Sequence, residues 1–143
     1  MSDREALTPR VYIVRHGQTE WAKKGKYTGT TDIKLTEEGV RQVSSMAATL
    51  VGPGKYINTS RIAYVFVSPR QRAIQTYKLM LPSSMIAKPK WKVETTEEVA
   101  EWNYGKYEGL TTEEIKDLRK SKGLDQKREW SIWKDGCDFD GGE

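Results

Sequence analysis

His16 is the only histidine in this chain of 143 residues, and it stands between Arg15 and Gly17 directly after the apolar run Val11-Tyr12-Ile13-Val14. An unprotonated imidazole is a nucleophile, and a neighbouring guanidinium both disfavours the imidazolium and attracts an oxyanion. The β-branched run reads as a strand, and the carboxyl ends of strands are where open α/β sheets bind ligands. Gly17 would let the backbone turn away tightly. Arg70 and Arg72 follow Ser68-Pro69, where a helix should begin and its free N–H groups favour an anion. Spacing alone does not separate these two arginines. Cations and N–H donors around an imidazole suit phosphoryl transfer, because a phosphomonoester carries about two negative charges. The leaving alkoxide then needs a proton from a carboxylic acid. Glu97, Glu98 and Glu101 form an acidic segment, and Trp102 and Tyr104 beside Glu101 would lower its local polarity and keep it protonated longer.

The elements that must position these groups read as alternating strand and helix. Thr36 is an N-cap with Glu37 and Glu38 in the first turn, and Val40, Val43, Met46, Ala47 and Leu50 recur at helical spacing until Gly52-Pro53-Gly54. The apolar run Ile62 to Val67 has no alternation. It predicts a strand buried on both faces, as in a parallel sheet with helices above and below. Two strands joined through a helix make a right-handed crossover. Ser68 as cap, Pro69 as first helical residue and Gln71 as capping-box partner predict a second helix, with Ala73, Ile74, Tyr77, Met80 and Leu81 as its apolar face and Pro82 as its stop. His16 and Ser68 should then border one crevice. A third strand is expected near Trp91 to Thr95, and Thr111-Thr112-Glu113-Glu114 is a capping box for a short helix through Ile115 and Leu118. Beyond Gly123 the pattern gives no element.

Composition narrows the class. With 36% hydrophobic and 31% charged residues the chain reads as one soluble globular domain, residues 10–143, behind a tail at 1–9. The net charge of +4 favours anionic small molecules. The positive residues form no long run, so nucleic acid is not an expected partner. Cys137 is the only cysteine, which excludes an intramolecular disulfide and a cysteine metal cluster and fits a reducing compartment. No leader-like segment or long apolar run is present, so a cytosolic or nuclear location without membrane association is expected. Neither GxxxxGK[ST] nor GxGxxG occurs, and no metal or cofactor is expected.

Arg15-His16-Gly17-Gln18-Thr19-Glu20-Trp21 resembles the signature of the histidine phosphatase superfamily, the phosphoglycerate-mutase-like proteins. Tyr27-Thr28-Gly29, Asp32-Ile33-Lys34-Leu35-Thr36, Ser68-Pro69-Arg70-Gln71-Arg72-Ala73 and Glu101-Trp102-Asn103-Tyr104-Gly105 match it in order. Leu118 to Asp125 and Trp130 to Cys137 are similar to the fungal sedoheptulose-1,7-bisphosphatase subgroup. The resemblance implies an α/β three-layer sandwich around a mainly parallel sheet and a phosphohistidine intermediate on His16. It implies Arg15 and Arg72 as phosphate clamps, Glu101 as proton donor, and Gln18, Thr28, Gly29, Trp102 and Tyr104 around a phosphorylated sugar. A broad phosphomonoesterase or a mutase is the alternative. Trp21, Trp91, Trp130 and Trp133 read as core or lid packing. Two positions depart from the pattern: Ala100 where an arginine often precedes the glutamate, and Glu129 where the subgroup is expected to carry proline. The family completes its pocket with a second histidine, and none follows His16. The chain is therefore expected to be an amino-terminal fragment lacking the carboxy-terminal part of the fold, with impaired activity or binding alone, and prone to associate through an uncovered sheet edge.

Overall fold

The computed structural model describes residues 9–137. Along them run helices α1 (Glu20–Lys23) and α2 (Glu37–Leu50), strand β1 (Tyr64–Val67), helices α3 (Gln71–Met80) and α4 (Ser83–Ala87), strand β2 (Lys92–Thr95), and helices α5 (Thr112–Ser121) and α6 (Ile132–Asp135). Two helix starts follow the expected caps. Thr36 Oγ1 accepts the Gly39 N–H at 3.0 Å to open α2, and Thr111 and Glu114 exchange both bonds of a capping box to open α5. On α2 the buried positions are Gly39, Val43 and Ala47, whereas Val40 and Leu50 lie nearer solvent than the pattern implies.

The start of α3 differs from the expectation. It begins at Gln71 rather than at Ser68-Pro69, with Arg70 as an N-cap that makes no side-chain cap bond. Asp32, far away in sequence, accepts the Gln71 N–H at 2.6 Å, and a carboxylate is a stronger acceptor than a serine hydroxyl. Ser68 Oγ accepts only the Arg70 N–H, at 3.4 Å. The buried residues of α3 are polar as well, Arg72 and Thr76 one turn apart.

β1 and β2 pair in parallel, Tyr64 opposite Lys92 and Val67 opposite Thr95, with α3 and α4 between them in the chain. The architecture is α/β with a parallel sheet, as the sequence implied. The expected strand at Val11–Val14 is not formed. A strand exists only through ladder bonds to a neighbour, and among the described residues none bonds to this segment, so Val11 and Ile13 stand 83% and 94% exposed. Tyr12 alone packs on the core and donates its hydroxyl to the Tyr56 carbonyl at 3.1 Å. The two-sided burial expected for Ile62–Val67 also fails. Val65 packs on the core, but Tyr64 and Phe66 are exposed and stack on each other at 4.8 Å, because no described element covers their face.

Two cores result. Ala47, Val51, Ile57, Leu81 and Trp91 form one, beneath Tyr77 and Met80 of α3. Tyr107, Ile115 and Trp130 form the other. Trp91 and Trp130 are thus core residues as expected, but Trp133 is 82% exposed and meets the edge of Trp102 at 5.6 Å. α6 is one turn long and turns Ile132 to the second core, and a step of about 100° per residue carries the next side chain outward. The segment after Gly123, unassigned from sequence, is held by charge. Arg119 forks onto Asp125 at 2.6 and 2.8 Å and reaches the Tyr107 hydroxyl at 2.8 Å, and Arg128 forks onto Asp135. No helix among the described residues is long and apolar enough to cross a membrane.

Candidate active site

The loop that carries His16 is wedged between α2 and α3. A Cβ on Gly17 would come within 2.5 Å of the Gly39 carbonyl at the start of α2, and the Gly17 N–H donates to Thr76 Oγ1 on α3 at 3.3 Å. Gly17 is therefore required for space, and not for the tight turn expected of it, since its φ is not positive. His16 Nδ1 lies 2.7 Å from the Gly17 carbonyl. A carbonyl only accepts, so Nδ1 carries the proton and Nε2 keeps its lone pair. Burial pulls the His16 pKa below its ordinary value; the Gly17 carbonyl opposes, Arg72 and Arg15 add to the lowering, and Glu101 opposes. The balance favours a neutral ring near neutral pH.

Structure separates the two arginines that spacing could not. Arg70 forks onto Glu97 at 3.2 and 2.9 Å. Arg72 is 2% exposed and lies close enough to His16 to shift its ionisation. Its Nη1 donates to the Thr31 carbonyl at 2.9 Å, and its Nη2 to the Thr28 and Gly29 carbonyls at 3.1 and 2.8 Å. Burial lowers the Arg72 pKa, against Glu101, Asp32 and Glu108, which raise it. Arg15 is exposed and adds a second positive charge beside the ring.

The turn at 28–31 is held from both sides. Opposite Arg72, Glu108 Oε1 accepts the Gly29 and Thr31 N–H groups at 2.9 and 2.8 Å. A Cβ on Gly29 would overlap the Trp102 carbonyl, so this glycine lets the segment after Glu101 lie directly on the turn. Thr28 Oγ1 donates to the Lys26 carbonyl at 3.2 Å. Gln18 Oε1 accepts from Thr36 Oγ1 at 3.1 Å, leaving its amide N–H groups as the end able to donate to an anion. Trp21 packs on Gly109, as expected of a packing residue.

Glu101 is exposed, so the low-polarity surroundings expected of it are not formed. Its Oε1 accepts the Trp102 N–H at 3.0 Å, and its charge acts on the Tyr104 hydroxyl. Burial, then the Glu101 charge, push the Tyr104 hydroxyl well above its ordinary pKa, which keeps it a donor. Sequence reasoning missed Glu108 and Asp32 as positioning groups. Neither lies in a periodic pattern, and each acts on backbone distant in sequence. Among the described residues no group of three or more His, Cys, Asp or Glu is placed to hold a metal.

The model of the histidine phosphatase superfamily, branch 1, matches residues 11–143. The chain belongs to this superfamily. Sedoheptulose 1,7-bisphosphatase of Saccharomyces cerevisiae is 48% identical over 134 residues, 93% of this chain and 49% of the relative. An acid phosphatase of Mycobacterium tuberculosis is 34% identical over 128 residues, 90% of this chain and 53% of the relative. The solved structure of open reading frame Rv3214 from Mycobacterium tuberculosis superposes with a TM-score of 0.61 at 32% identity, over 90% of this chain and 54% of that one. The chain spans about half the length of the curated relatives it matches. In this histidine phosphatase chain the arginine selected by resemblance, Arg72, is also the one buried beside His16.

Proposed function

We propose that these residues form the nucleophile-bearing part of a phosphatase that cleaves a sugar bisphosphate through a phosphohistidine, with sedoheptulose 1,7-bisphosphate the substrate suggested by the Saccharomyces relative. One observation carries the reading: His16 Nδ1 lies 2.7 Å from the Gly17 carbonyl, an acceptor that calls for the proton on Nδ1 and so leaves the Nε2 lone pair free, while Arg15, Arg72 and Glu101 all act on the charge of the ring. Nε2 attacks phosphorus, and the Nε2–P bond forms as the ester P–O bond breaks. Arg15 and the Gln18 amide take the non-bridging oxygens; Arg72, expected as a second clamp, has Nη1 and Nη2 donating to the carbonyls of the 28–31 turn and supplies buried positive potential instead. The leaving alkoxide takes its proton from Glu101. Glu101 then removes a proton from water, which attacks phosphorus, breaks the N–P bond and releases phosphate. Trp102, Tyr104 and the Thr28-Gly29 turn border the sugar phosphate. A phosphoryl oxygen at this turn competes with the Lys26 carbonyl for the Thr28 hydroxyl. A cytoplasmic place in carbohydrate metabolism goes with such a substrate.

The test is acid-labile label on the protein after mixing with substrate phosphorylated with 32P. Label that disappears in His16→Ala supports the reading, and no label on the unsubstituted protein removes it. Selectivity is read by comparing sedoheptulose 1,7-bisphosphate with an aryl phosphate. Equal rates favour a broad phosphomonoesterase, which the acid phosphatase relative supports. The alternative reading is that these residues bind a phospholigand without turning it over. It predicts phosphate binding with residual turnover unchanged by His16→Ala.

A further inference from the structure

We infer that Glu108 is a positioning residue, which holds the buried Arg72 guanidinium beside His16 by clamping the intervening 28–31 turn. The inference rests on the proposed role of His16 and assigns Glu108 no contact with substrate. The Thr28–Gly29 peptide is bonded at both ends. Its carbonyl accepts from Arg72 Nη2 at 3.1 Å and its N–H donates to Glu108 Oε1 at 2.9 Å. The arginine and the glutamate are thus an ion pair bridged by one peptide group, and each bond polarises the peptide towards the other.

The same Oε1 takes the Thr31 N–H at 2.8 Å, and Oε2 takes a second, longer bond from Gly29 at 3.1 Å. Two N–H groups spaced two residues apart and converging on one oxygen fix the curvature of the turn. That curvature is what directs the Thr28, Gly29 and Thr31 carbonyls together onto Arg72. Without an acceptor at Glu108, two part-buried N–H groups lose their partner, the turn relaxes towards water, and the three carbonyls no longer converge. Among the described residues no carboxylate forms a direct salt bridge with Arg72, whose guanidinium bonds run to the carbonyls of the turn. Its place beside the ring depends on the turn, and the turn depends on Glu108.

The lone histidine makes a direct test available, because the imidazole C–H proton resonances belong to one residue. In the folded protein without substrate, the His16 titration midpoint is measured by NMR for wild type, Glu108→Ala and Glu108→Gln. Glu108→Ala is expected to release Arg72 and move the midpoint upward, towards the ordinary value near 6.5. Glu108→Gln keeps an oxygen at the Oε1 position and is expected to stay near wild type. A residue that merely supports the fold would lower the melting temperature and leave the midpoint of the folded protein where it was. That result overturns the inference, as does an equal upward shift in both variants. If Glu108→Ala does not fold, wild type and Glu108→Gln decide by hydrogen exchange: Gly29 and Thr31 amides protected in both support it, and unprotected amides in either overturn it. None of these readouts needs turnover, so failure of the phosphatase reading would leave a separate signature, an unlabelled His16.

Discussion

Replacing Arg72 with alanine tests the site and the fold together. The side chain is 2% exposed and donates three hydrogen bonds of 2.8 to 3.1 Å to backbone carbonyls. A hydrogen bond from a charged donor contributes about 1.5–3 kcal/mol. The three share one group and do not add, and water partly solvates the carbonyls once the side chain is gone. The expected loss is therefore about 3–5 kcal/mol, the range for breaking a buried charged cluster from one side. Arg72→Lys keeps the charge but replaces a planar fork with a single ammonium, and should lose about 1–3 kcal/mol. Urea unfolding followed by far-UV circular dichroism measures both. The His16 titration midpoint should rise in Arg72→Ala, because a positive neighbour that lowers it has gone, and stay depressed in Arg72→Lys. A loss below about 1 kcal/mol for alanine, or equal losses for alanine and lysine, would refute the reasoning.

Gly29→Ala should cost about 1–3 kcal/mol by equilibrium unfolding, because its Cβ has no space against the Trp102 carbonyl; a neutral substitution would show that the contact yields freely. Thr111→Ala should cost about 1 kcal/mol through loss of the α5 capping box, and a wild-type melting temperature would contradict that. The Arg128 fork and the Ser131 N–H hold the Asp135 carboxyl at about 2, below its ordinary 3.8. Since the folded-state value is depressed, the stability it contributes is present above 3.8 and lost as pH falls through 3.8 towards 2. Melting temperature against pH should therefore fall less steeply in this acid window for Asp135→Asn than for wild type, and identical slopes would remove the assignment.

What was legible in the sequence was local. Thr36 and Thr111 announce α2 and α5 because a cap and its partners lie within three residues of each other. The start of α3 was misplaced because the deciding acceptor, Asp32, arrives from 39 residues away. The Val11–Val14 run has the composition of a strand, yet composition carries no information about whether a partner strand is at hand. The two-sided burial expected of Ile62–Val67 failed for the same reason: Phe66 has nothing described above it. Within the candidate site, His16 stood out as the lone histidine behind an apolar run, and Arg72 by resemblance. Glu108 did not, because two backbone N–H groups meeting one carboxylate oxygen leave no mark on spacing or hydrophobic pattern. Trp133, read as core or lid packing, is not in either core, because one turn of α6 is enough to carry it outward.

The central claim is that His16 holds its proton on Nδ1 and reacts through Nε2. The direct measurement is the isomer of phosphohistidine formed on mixing the protein with sugar bisphosphate, resolved by 31P NMR of the trapped protein or by mass spectrometry of its peptide. Phosphate on Nε2 of His16 is the predicted result. Phosphate on Nδ1, or none on His16 while substrate is consumed, would contradict it.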